Sequence, residues 1–101
     1  MVLTLTVFMP IKNKIQKIQI AQKTFIYRYE NNYFWLYCPQ QLEFYRFNKD
    51  GFAVLLYIDR EKVDTEIATI IKKNKKAQAF LAYLVGHEIV NEKNLRKSGL
   101  L

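Results

Sequence analysis

The stretch KTFIYRYENNYFWLYCPQQLEFYRFNKDGFAVLLYI, residues 23–58, carries most of the chain's aromatic side chains, and its reading decides the fold. Glu30-Asn31-Asn32-Tyr33 sets two residues that tolerate positive φ between the runs Thr24 to Glu30 and Tyr33 to Cys38, as a two-residue hairpin turn requires. Asn48-Lys49-Asp50-Gly51 reads as a type I turn with Gly51 in the left-handed position, between the runs Leu42 to Phe47 and Phe52 to Ile58. Cys38-Pro39-Gln40-Gln41 gives a third turn, in which Pro39 presets φ. The stretch is thus expected to be a meander of four consecutive strands.

These turns imply the cross-strand pairs Arg28 with Trp35, Ile26 with Tyr37, Trp35 with Phe44, Tyr33 with Arg46, Phe44 with Leu56 and Leu42 with Ile58. Alternation then sorts the side chains into two faces. One face holds Phe25, Tyr27, Tyr29, Phe34, Leu36, Cys38, Tyr45, Phe47, Ala53, Leu55 and Tyr57, with Glu43 as its single charge, and it demands a core. The other holds Ile26, Arg28, Tyr33, Trp35, Tyr37, Leu42, Phe44, Arg46, Val54, Leu56 and Ile58. There each arginine stands opposite an aromatic ring, in position for cation–π contact.

Outward from this stretch, Val2 to Met9 alternates and is rich in β-branched residues, so it reads as a strand stopped by Pro10. Ile15 to Ala21 reads as another. A turn at Gln22-Lys23 brings Ile18 and Ile20 beside Tyr27 and Phe25, and Lys17 opposite Arg28 on the cationic aromatic face. After Ile58 the pattern changes to a helical period. Val63, Ile67, Ile70, Ile71, Ala77, Phe80, Leu81, Leu84, Val85 and Ile89 form one stripe. Asp59 or Asp64 caps its start. An unbroken helix over 61–90 would be about 45 Å long, more than a domain of about 13 Å radius of gyration accommodates. A break at Asn74, with Asn74 capping a second helix, is therefore favoured over one long helix paired with its own copy. The polar, basic tail is expected to fray, with Ser98-Gly99 as an end signal.

The expected fold is α+β: an antiparallel meander sheet of five or six strands followed by one or two C-terminal helices packed on one face. The 101 residues make a single domain, with a β-meander over 1–58, a helical segment over 59–92 and a basic tail over 93–101. Cys38, the single cysteine, permits no internal disulfide and reads as a buried, inert thiol. With no basic leader and no apolar run of about 18 residues, the chain is expected to be soluble and cytoplasmic, with no membrane partner.

No catalytic motif in the chain is complete. His87-Glu88 resembles the start of the zinc motif HExxH, but Asn91 stands where the second histidine is needed. One histidine and one cysteine in the whole chain do not make a conventional metal site. Gly51, Gly86 and Gly99 are isolated, so no phosphate-cradling loop forms, and no acid orients a Cys38–His87 pair. No enzyme activity, cofactor or small-molecule substrate is expected.

The net charge of +7 favours a polyanionic partner. Tyr33, Trp35 and Tyr37, flanked by Arg28, Arg46 and Lys17, have the composition of a sheet surface that stacks the bases of single-stranded nucleic acid. Lys72, Lys73, Lys75 and Lys76 complement a helix end and also offer phosphate contacts. The competing reading makes Trp35 and its neighbours a second packed face. One helical layer hides only one side of a sheet, which leaves an apolar face for a homodimer or an obligate partner. The leading expectation is a small non-catalytic nucleic-acid-binding protein. Its alternative is a protein–protein interaction module, either an adaptor or a small inhibitor of a protein target.

Overall fold

The computed structural model describes residues 14–60 and 63–101. Four strands come first: β1 (Gln16–Ile20), β2 (Lys23–Glu30), β3 (Tyr33–Cys38) and β4 (Glu43–Phe47). Four helices follow: α1 (Lys49–Asp59), α2 (Thr65–Lys73), α3 (Lys75–Gly86) and α4 (Glu92–Lys97). The strands form one antiparallel sheet in the order β1-β2-β3-β4. The fold is α+β, with four strands among the described residues in place of five or six. The strand expected over Val2 to Met9 lies outside those residues.

The largest departure from expectation is at 49–59. Asn48 opens a helix, not a hairpin: its side-chain oxygen accepts from the Gly51 N–H at 2.8 Å, and its carbonyl accepts from Phe52 N–H. Asp50 lies in the first turn, where a negative charge suits the helix dipole. Gly51 serves close packing, since a Cβ there would lie 3.2 Å from Cζ of Phe80. Six of the seven residues Phe52 to Ile58 are buried, and Leu56 is half-buried. A helix enclosed nearly all round accommodates such a continuous apolar run. The expected pairs of Phe44 with Leu56 and Leu42 with Ile58 therefore do not exist.

The three hairpins form, the middle one in the expected register and the outer two with altered ones. Asn31 and Asn32 adopt φ of 53° and 66°, giving the expected turn and the pairs Arg28 with Trp35 and Ile26 with Tyr37. The first turn is Ala21-Gln22, with φ of 50° and 67°, so Lys17 faces Ile26 and not Arg28. The β3–β4 loop closes over Pro39 to Leu42, which pairs Trp35 with Arg46 and Tyr37 with Phe44. In both cases the register slips by two residues, and a slip of two keeps every side chain on its face.

The inward face of the sheet carries the core. Phe25, Phe34, Leu36 and Cys38 are buried, and the Phe52 ring of α1 stacks on Phe34 at 3.9 Å with 3° between planes. Phe47 meets Phe80 of α3 edge-on at 5.2 Å. Losing a ring such as Phe34 or Phe52 would cost about 3–5 kcal/mol. Asp64 caps α2 by accepting from Glu66 and Ile67 N–H. Asn74 ends α2 and caps α3, so the helical region is broken where its length demands. Of the expected stripe, Ile71, Ala77, Leu81, Leu84 and Ile89 are buried, whereas Val63 and Ile70 are exposed.

The tail does not fray. Asn91 and Asn94 form a reciprocal capping box at the start of α4, and Leu95, Ser98 and Leu100 are buried. Gly99, at φ 76°, closes α4: Leu100 N–H reaches the Leu95 carbonyl and Gly99 N–H that of Arg96. Leu95 and Leu100 supply the apolar contact that completes this ending.

Candidate functional site

The outward face of the sheet is the candidate site. Among the described residues no helix packs over it, because the helical contacts fall on the inward side chains of β1 to β4. Trp35, at the centre of β3, is 39% exposed, which places its ring at the surface and not in a second core. Its indole N–H donates to the Glu30 carbonyl at 3.0 Å, so the polar edge is satisfied and the ring orientation fixed.

Arg46 is its neighbour on β4. The guanidinium lies 4.6 Å from the Tyr33 ring centroid and 5.8 Å from that of Trp35, so one cation sits against two rings. Tyr33 and Trp35 meet edge to face at 6.2 Å. Arg28 stands directly across from Trp35 on β2, but its guanidinium pairs with the Glu30 carboxylate at 3.2 Å. Exposed pairs of this kind contribute little to stability and leave Arg28 able to exchange partners.

Next to this group lies an apolar one. Tyr37 is half-buried against the Phe44 ring at 4.5 Å, and Phe44 itself is 77% exposed. Ile15, Ile26, Arg28, Trp35, Tyr37 and Phe44 line a shallow depression on this face. Lys17 is exposed in the same cross-strand row, opposite Ile26. The face thus gathers Lys17, Arg28, Tyr33, Trp35, Tyr37, Phe44 and Arg46, as strand alternation anticipates, and adds Ile15.

The lysine group stands elsewhere. Lys72 and Lys73 end α2, Lys75 and Lys76 begin α3, and all four are exposed on the helical layer. Lys76 alone of the four shares a groove with Arg46, between the end of β4, the start of α1 and the start of α3. Lys49 is a cation that the hairpin reading hid. As the first residue of α1, it holds its ammonium 5.5 Å from the Tyr29 ring.

On the inward side, burial pushes the Tyr27 phenol above its ordinary pKa. Burial does the same to Tyr45 and Tyr83, and the Glu43 carboxylate raises both further. His87 caps α3, with its ring exposed against Tyr83. Among the described residues no group of three or more His, Cys, Asp and Glu side chains is placed to hold a metal. No helix there is long and apolar enough to cross a membrane. No family model matches the chain, and no curated protein or solved structure is significantly similar to it.

Proposed function

We propose that the chain is a non-catalytic protein that binds single-stranded nucleic acid across the outward face of its sheet. The observation that carries this reading is Arg46 lying against Tyr33 and Trp35 on a strand surface that no helix among the described residues covers. Unpaired bases present a π-face to exposed rings of this kind, and a neighbouring guanidinium serves both the ring stack and a phosphate. Duplex DNA keeps its bases stacked inside the helix and so gains little from a flat aromatic surface. Lys17 and Arg28 extend the positive rim, and the net charge of +7 draws a polyanion toward the whole molecule.

Trp35 is the chain's single tryptophan, so its fluorescence reports on the site directly. Titration with a single-stranded oligonucleotide is expected to quench that emission, with an affinity that falls as salt rises. A Trp35→Ala, Arg28→Ala double variant, followed through a labelled oligonucleotide, is expected to bind about 5- to 150-fold more weakly, since one stacked base contributes about 1–3 kcal/mol. Undiminished binding by that variant rejects the site.

A protein partner or a second copy of the chain is the other reading, and one observation favours it. Phe44 is 77% exposed at the rim of the depression on the outward face, which Ile15 and Ile26 also line, more apolar surface than stacking needs. Sedimentation of the free protein separates the two. A dimer that shields Trp35 and excludes oligonucleotide supports the interface; a monomer that binds oligonucleotide supports the nucleic-acid site.

A further inference from the structure

We infer that the aromatic face and the lysine corner are two ends of one track for single-stranded nucleic acid, joined at the groove between Arg46 and Lys76. This rests on the nucleic-acid reading of the outward face and gives the ligand a direction across it.

Arg46 belongs to both surfaces. Its guanidinium lies over Tyr33 and Trp35, and the same residue lines the ≈ 380 Å³ groove that Lys76 and Phe80 border from α3. Since β4 ends the sheet among the described residues, a strand leaving Trp35 past Arg46 meets no further strand. It passes over the sheet edge into that groove. Two cations from separate elements meet it there, against one carboxylate, that of Asp50 in the first turn of α1. Phe80, half-buried and edge-on to Phe47, gives the groove an aromatic wall beside the phosphate contacts. Lys76 thereby becomes a contact residue, whereas Lys72 and Lys73, at the far end of the corner, contribute only to the general field.

The test compares oligo-dT of about four and about twelve nucleotides, the span of site sizes on comparable surfaces. It uses the full chain and its Lys76→Gln and Lys72→Gln variants, both altered at exposed positions. The short ligand is held by the sheet face alone, so Lys76→Gln is expected to leave its affinity unchanged. For the long ligand, Lys76→Gln is expected to flatten the slope of log K against log salt by about 0.7, one phosphate contact, with Lys72→Gln changing it less. An unchanged slope, or equal effects of the two variants, overturns the track while leaving the sheet face as a site. Failure of both oligonucleotides to quench Trp35 removes the face and the track together.

Discussion

The hydroxyl of Tyr57, in α1, donates to the carbonyl oxygen of Ser98 at 2.7 Å and accepts from the Asp64 N–H at 3.1 Å. One phenol thus ties the central helix to the start of α2 and to the last turn of the chain. Tyr57→Phe leaves the Ser98 carbonyl buried without this donor, a loss of about 1–3 kcal/mol. Thermal unfolding is expected to show it as a melting temperature about 4–8 °C lower per kcal/mol. An unchanged melting temperature would mean that the tail is not held this way.

Glu88 and Gly99 occupy the same left-handed position at the ends of α3 and α4, with φ of 58° and 76°. Ile89 N–H reaches the Leu84 carbonyl as Leu100 N–H reaches that of Leu95. A side chain is strained at such a position, so Glu88→Gly is expected to stabilise the fold by about 0.5–1 kcal/mol. Its backbone carbonyl still accepts from Lys23. Gly99→Ala has the opposite sign and costs about 1–2 kcal/mol, because the new Cβ also lies 3.0 Å from Val63 Cγ1. Denaturant melts of the two variants shifting in the same direction would contradict this pairing.

Asn48→Ala tests the helix that replaced an expected hairpin. It removes the acceptor of the Gly51 N–H and is expected to cost about 1 kcal/mol.

The difference between the expected hairpin and the observed helix has a physical cause. Asn-Lys-Asp-Gly serves a tight turn and a helix start equally well, and a short apolar run such as Phe52 to Ile58 has no period with which to decide between them. The deciding requirement was tertiary: a strand there would need burial on both faces, while a helix seated on Phe34 buries the whole run. The order of the tail is hidden from composition for a related reason. Its polar residues Asn91, Asn94 and Ser98 satisfy backbone groups within the fold, and composition alone does not show that.

The candidate face survived two wrong registers because both slips were even. Arg46 was expected opposite Tyr33 and lies opposite Trp35, yet the slip left it touching both rings. Lys17 kept its side of the sheet but lost Arg28 as its neighbour. What the sequence did not reveal is the link between Arg46 and Lys76, since it depends on where α3 begins relative to the end of β4.

Arg46→Lys separates stacking from charge. Lysine keeps the positive charge and loses the planar group that lies against Tyr33 and Trp35. Oligonucleotide affinity is expected to fall several-fold with an unchanged salt slope. Undiminished affinity would show that Arg46 acts only as a charge.

At high pH, stability should fall through the buried Tyr27 and Tyr45, and to a smaller extent through the more exposed Tyr83. Tyr27, Tyr45 and Tyr83 ionise at higher pH in the folded chain than in the unfolded one, first because burial disfavours the phenolate. The raised folded values make this contribution complete below the unfolded pKa of about 10 and lost as pH rises through the folded values. Glu43→Gln removes the second cause at Tyr45 and Tyr83 and is expected to move their phenolate absorbance to lower pH. The Tyr27 titration should stay in place.

With every described helix gathered on one side, the core and the outward face draw on different sets of side chains. Positions 28, 33, 35, 44 and 46 can therefore be randomised together as a library, selected for new ligands while Phe34 and Phe52 keep the scaffold intact.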